Sequence, residues 1–174
     1  MAAFIAFNDL YCSVLEEWGV FVSGANPIAR TNVCPPAARF SEPVLHAFSY
    51  TRPAVEREPA TFIVAGAGEL REGTLVEQGI VRRGETGPEA VAEKARCVAE
   101  VMSDRLQGLE ADWSHVSTVN VYTIHPIDRL MDPVLLARVP ATGRCGATWH
   151  PARPPVEEIE FEMDLHGVSV QRRI

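Results

Sequence analysis

The sequence predicts a two-layer α+β domain, a mixed sheet with helices on one face. Three stretches predict it. After Pro88, the apolar residues Val91, Ala95, Val98, Met102 and Leu109 recur at helical spacing. Val116–Ile124 is a β-rich run, Val-Ser-Thr-Val-Asn-Val-Tyr-Thr-Ile. Ile159-Glu160-Phe161-Glu162-Met163-Asp164-Leu165 alternates strictly, the pattern of a strand with one apolar face. Strands with helices on one side make two layers around one core.

In chain order, the first 60 residues read as irregular. Short apolar runs, Phe4–Phe7 and Val20–Val22, are broken by Pro27, Pro35, Pro36, Pro43, Pro53 and Pro59. Val20–Ala25 and Phe62–Ala67 look alike, and each reads as a short buried strand ending at a glycine turn. They are either a weak internal repeat or two strands of similar composition. Thr61–Gly66 is the better strand, and Gly68–Gly84 reads as a turn followed by a polar strand or loop. The long helix starts at Pro88, with Thr86 or Gly87 as its cap, and stops near Gly108. Pro126–Arg138 reads as a short helix interrupted at Pro133, and Arg144–Trp149 as another strand.

Composition narrows the function classes. The 174 residues suit one domain with its own core. Sixteen basic against 23 acidic residues give a net charge of −7, a poor basis for binding polyanions. Lys94 is the only lysine. An apolar share of 47% with 22% charged residues excludes disordered and collagen-like chains. Cys12, Cys34, Cys97 and Cys145 form no CxxC pair, so zinc-ribbon and thioredoxin motifs are absent. Met1–Phe7 is apolar but uncharged and too short for a signal segment or a bilayer span. The expectation is a cytoplasmic protein with reduced thiols, bound to neither membrane nor nucleic acid.

Familiar site signatures are missing. Arg71 stands where a dinucleotide fingerprint beginning Gly66-Ala67-Gly68 needs its third glycine. His46, His115, His125, His150 and His166 lie singly, without metal-ligand spacing. Arg71, Arg82 and Arg83 are the one basic cluster of mid-chain, and in an acidic background they read as a solvated strand end. Two features remain. Glu160, Glu162 and Asp164 share one face of a strand, either a solvated outer face or the wall of a site. Arg144, between the small residues of Gly143-Arg144-Cys145-Gly146, can reach a carboxylate bidentately or pair with the acidic strand.

The order of these features resembles the Rid (YjgF) family of reactive-intermediate deaminases, which act on imines and enamines. Residues 61 to about 168 carry the resemblance, which implies a domain of residues 56–174 behind an N-terminal extension, residues 1–55, that has no family counterpart. Ala65-Gly66-Ala67-Gly68-Glu69-Leu70 looks like the family's small-residue turn ending in Gly-Glu-Leu. Val116–Tyr122 is similar to its V-x-T-T-V-x-V strand, and Ile159–Met163 to its terminal I-E-I-E-A strand. The family's cysteine lies two residues past its arginine, whereas here Cys145 adjoins Arg144 and Gly146 takes that place. The family's pocket asparagine has no counterpart in Pro126–Arg138, and its upstream Tyr-Ser is matched loosely by Phe48-Ser49.

The resemblance implies a chorismate-mutase-like fold and hydrolysis of a C=N bond, releasing ammonia and a 2-oxo acid. The substrate is then either a range of imines or something of the 2-aminomuconate type. It implies Glu160 at the catalytic water, with Cys145 as a second catalytic candidate. Arg144 would clamp the substrate carboxylate, and Gly66, Gly146 and Phe48 would line the pocket. No metal or organic cofactor is implied. The implied assembly is a homotrimer with sites at subunit contacts. The competing expectation is a non-catalytic protein of the same fold that binds small carboxylates. A ribonuclease fits neither the charge nor the lack of an aromatic-basic stripe.

Overall fold

A computed structural model describes residues 1–36, 42–53, 60–71 and 77–172. Pro59 and residues 72–76 of the Gly68–Gly84 stretch therefore lie outside the described residues. The elements are α1 (Ala2–Glu17), β1 (Phe62–Gly68), α2 (Pro88–Gly108), β2 (Thr118–Tyr122), α3 (Asp128–Leu130), α4 (Thr142–Cys145), β3 (Thr148–His150) and β4 (Glu162–Gly167). The strands form a mixed sheet in the order β1-β4-β2-β3. β4 pairs antiparallel with both β1 and β2, and β3 runs parallel to β2. The α+β expectation holds.

α2 begins as its sequence dictates, with Gly87 at the N-cap and Pro88 in the first turn. Its buried face includes Val91, Ala95, Val98, Met102 and Leu106. Leu106 takes the place expected for Leu109, which lies just past the last turn and is exposed. This face packs on Val64 of β1, Val119 and Val121 of β2, and Phe161, Met163 and Leu165 at β4. Each such fully buried side chain contributes about 1.5–3 kcal/mol of burial free energy.

Four expectations need correction. The N-terminus is not irregular: Ala2–Glu17 is helical, and Phe4, Phe7 and Tyr11 fall at helical spacing across the polar pair Asn8-Asp9. Val20–Ala25 forms no strand. Val22 and Ala25 make an isolated bridge around Ser23 and Gly24, whose positive φ angles of 52° and 77° turn the chain back on itself. The expected helix over Pro126–Arg138 does not break at Pro133. α3 runs on into a π-helical turn, Met131–Leu136, where Pro133 sits among the first residues and its missing N–H interrupts little. Arg144–Trp149 is not one strand either. Arg144 and Cys145 belong to α4, Gly146 turns the chain at φ 74°, and only Thr148–His150 pairs with β2.

The face of β4 away from α2 carries Glu162 and Asp164, with Glu160 just before the strand. It is not wet: the three are 7% (Glu160), 5% (Glu162) and 3% (Asp164) exposed. Part of the cover comes from the N-terminal segment. Thr31 donates its hydroxyl to Asp164 (2.8 Å), and Gly66 N–H donates to Arg30 O (3.2 Å) and Thr31 Oγ1 (3.1 Å). Cys34 and Arg153 exchange backbone hydrogen bonds.

Candidate active site

Three buried acids on one face meet three different environments. Asp164 is the most fully satisfied. It accepts from Asn120 Nδ2 (2.7 Å), Tyr122 Oη (2.9 Å) and Thr31 Oγ1, with His166 Nε2 3.4 Å away. Burial pushes its carboxyl up, but the hydrogen bonds from His166, Asn120, Thr31 and Tyr122 together hold it below the usual range. Burial and the Asp164 charge in turn keep the Tyr122 phenol protonated far above its ordinary range. Tyr122 stacks on His150, with ring centroids 4.8 Å apart.

Glu160 is held by a histidine and an arginine. His125 Nε2 lies 2.8 Å from Oε2, and Arg153 Nη1 donates to both carboxylate oxygens at 3.0 and 3.1 Å. Its backbone N–H donates to Glu69 Oε1 (2.6 Å).

Glu162 differs from both. Among the described residues no side chain or backbone group donates a hydrogen bond to it. Burial, with the charges of Asp164 and Glu69 beside it, pushes its carboxyl up to about 8, against an opposing pull from Arg105. Its Oε1 sits over the Gly66 Cα: a Cβ added at Gly66 would lie 2.2 Å from that oxygen. The glycine is therefore what lets the carboxyl lie against β1.

Glu162 lines a cavity of about 310 Å³ between the β1 edge, α1 and the segment around Arg30. That is the small end of the roughly 300–1,000 Å³ typical of small-molecule sites. Two guanidinium groups, Arg30 and Arg105, line it too. Arg105 Nη1 donates to Ala65 O (2.9 Å), at the irregularity between Val64 and Ala67 where β1 leaves its register with β4. With Glu162 protonated near neutrality, the cavity wall carries two cations. The arrangement can attract an anion and hand a proton to a group bound beside Glu162.

The residues singled out from sequence are dispersed. Gly66 lines the cavity. Glu160 lies on the same polar face but is not among the cavity's lining residues. Arg144 donates to the carbonyls of Trp113 (2.8 Å) and Val116 (2.6 Å), and makes no ion pair with the acidic strand. Cys145 points its thiol at Ala141 O (3.1 Å). Gly146 caps α4, with open space where a Cβ would lie. Phe48 is 73% exposed, with its ring against Tyr50. Sequence reasoning passed over Arg30, Arg105, His125 and Arg153. Arg30 lay in a stretch read as a featureless extension, and Arg105 on a helix read for its apolar side alone. Among the described residues no group of three or more His, Cys, Asp or Glu could hold a metal ion.

The chain is 39% identical over 166 residues to 2-amino-5-chloromuconate deaminase of Comamonas testosteroni, which covers 94% of this chain and 65% of that protein. It thus spans less than two thirds of that relative's length. Among solved structures, it is similar to a Thermotoga maritima protein provisionally assigned as an endoribonuclease: 18% identity, 84% of this chain, 100% of the other and a TM-score of 0.46. A Klebsiella pneumoniae protein with the same provisional assignment shares 12% identity over 60% of this chain and 90% of its own, with a TM-score of 0.42. A family model described as 2-aminomuconate deaminase CnbZ matches residues 1–172, from the N-terminal helix through the last strand. The chain belongs to the 2-aminomuconate deaminase CnbZ family.

Proposed function

We propose that this chain hydrolyses the C=N bond of an enamine or imine carboxylate of the 2-aminomuconate type, with Glu162 as its proton carrier. The observation that carries the reading is a buried carboxyl without a hydrogen-bond donor among the described residues, in the wall of a cavity also lined by Arg30 and Arg105. Membership of the CnbZ family and the likeness to the Comamonas deaminase support the reaction class.

The chemistry asks little of the protein. Protonated Glu162 delivers its proton to the enamine carbon, which leaves an iminium. Water adds to the C=N carbon and gives its proton to the Glu162 carboxylate. That proton passes to nitrogen, the hydroxyl proton returns to the Glu162 carboxylate as the carbinolamine collapses, and ammonia leaves with a 2-oxo acid behind. A carboxyl poised near 8 can act in both directions at neutral pH. The cations hold the substrate carboxylate, so that a diffusing attack becomes a local one. Glu160, held by His125 and Arg153, keeps the start of β4 in place in this reading.

A cytoplasmic homotrimer is the proposed working form. The resemblance to Rid deaminases supports the trimer, and the four free thiols support a reducing compartment. Among the described residues no helix is long and apolar enough to cross a membrane.

The test is ammonia release from freshly generated 2-aminomuconate, by wild type and by Glu162→Gln of unchanged oligomeric state. Stoichiometric ammonia from wild type, lost in the variant, is expected. Binding without turnover by the wild type would overturn the reading in favour of a carboxylate-binding protein. Sedimentation giving a monomer would remove the trimer.

A further inference from the structure

Arg30 is held with unusual care for a residue in an irregular segment. Its guanidinium carbon lies 4.9 Å from the Phe7 ring centroid and 4.4 Å from that of Tyr11, one turn apart on α1. Nη2 donates to Asn8 Oδ1 on the same helix. The backbone carbonyl of Arg30 accepts from Gly66 N–H, which ties the segment to β1 opposite Glu162. Two rings and one acceptor thus fix the plane of the fork. Yet among the described residues Nη1 is buried without a hydrogen-bond partner. A buried charged donor without an acceptor is costly, and native proteins leave few of them. The same side chain lines the 310 Å³ cavity, which also holds Glu162 and Arg105.

We infer that Arg30 is the residue by which the N-terminal segment selects substrate: its guanidinium, which lines the cavity, donates to a carboxylate of the bound molecule, so that the site takes dicarboxylates over monocarboxylates. The inference rests on the deaminase reading for its substrate but not for its binding chemistry. Arg105 is already engaged with the Ala65 and Gly66 carbonyls beside Glu162 and supplies charge there. Arg30, reaching in from the α1 side, supplies a second point of attachment. A six-carbon diacid with one carboxylate on the Arg30 fork leaves its second toward the positive charge of Arg105 and its middle carbons toward Glu162. A monoacid of equal length leaves one guanidinium without its acceptor and loses that charge-assisted bond.

The experiment compares cis,cis-muconate with sorbate, a monocarboxylate of the same carbon count, by calorimetry on the full chain. Wild type is expected to prefer muconate, and Arg30→Gln to lose about ten- to a hundred-fold of the muconate affinity while sorbate binding changes little. Arg30→Lys keeps a cation over the Phe7 and Tyr11 rings, which preserves the fold, but lacks the planar fork; it is expected to regain only part of the preference. Deaminase kinetics on the same variants should show a raised KM with kcat changed less. Equal muconate affinity in wild type and both variants would overturn the inference even if deamination proceeds. Muconate preference that depends on Arg30, in a chain that releases no ammonia, would sustain it while the deaminase reading fails.

Discussion

Glu69 and Glu162 are both buried glutamates, and the domain uses them in opposite ways. Glu69 is compensated on every side. Lys94 Nζ lies 2.9 Å from Oε1, and the backbone N–H groups of Glu160 and Phe161 donate to Oε1 and Oε2 at 2.6 and 3.0 Å. Both side chains of the ion pair are fully buried. That network joins the end of β1 to α2 and to the start of β4, and it leaves no acceptor for chemistry. Glu162, two residues beyond the backbone that Glu69 holds, has no ion pair and no hydrogen-bond donor among the described residues, only the weaker pull of the Arg105 charge. Burial alone decides little; what decides is whether the charge is answered. An answered carboxylate is a strut, and an unanswered one becomes a proton reservoir beside a cavity.

The largest effects should separate these roles. Glu162→Gln keeps the shape of the side chain and removes the proton carrier. It should lower kcat by roughly 10²–10⁴-fold with the fold intact. Glu160→Gln should cost much less turnover, and near-equal losses in the two variants, measured by ammonia release, would break the distinction between them. On the other side of the comparison, Lys94→Met leaves Glu69 buried with its backbone donors but no counter-charge. It should cost about 3–5 kcal/mol of stability in a denaturant titration. A loss below about 1 kcal/mol would mean that the backbone donors alone suffice.

A pH series sharpens the same contrast. Folded Glu162 keeps its proton up to about 8, whereas the unfolded chain releases it near 4.5. Between those values the unfolded state binds fewer protons, so stability falls as pH rises and levels off above about 8. Glu162→Gln lacks that loss. Unfolding curves from pH 5 to 9 should therefore show wild type losing on the order of a few kcal/mol relative to the variant. Parallel curves would contradict an elevated carboxyl.

Gly66→Ala comes next in size. A Cβ there would sit 2.2 Å from Glu162 Oε1 and 2.9 Å from Thr31 Cγ2, so the carboxyl must swing away. Displacement on this scale should lower kcat by roughly ten- to a hundred-fold. The smallest expected effect is Arg144→Lys. It weakens the bonds to the Trp113 and Val116 carbonyls at a cost of about 1 kcal/mol in stability, and KM should not move. A raised KM would restore Arg144 as a substrate clamp.

The legible part of the molecule was whatever periodicity encodes. α2, β1, β2 and β4 follow from Pro88, Gly87 and the alternation of apolar side chains, because burial against one layer imposes those periods. The polar face of β4 was legible as a face but not as an interior, because what covers it comes from Thr31 and its neighbours, more than 130 residues upstream. Sequence spacing is silent on such a contact. The same holds for the choice among Glu160, Glu162 and Asp164. Alternation makes them equivalent, and only the three-dimensional positions of His125, Arg153, Asn120, Tyr122 and Thr31 set them apart. Arg144 shows what spacing leaves out in the other direction. Small neighbours suggested reach toward a ligand, whereas α4 turns its guanidinium onto backbone carbonyls of the α2–β2 connection.

The measurement that tests the account most directly is a carboxyl-carbon NMR titration of the full chain, with the Glu162 resonance assigned by its absence in Glu162→Gln. The account predicts a midpoint near 8 for that resonance. A Glu162 midpoint in the ordinary range near 4.5 would contradict it.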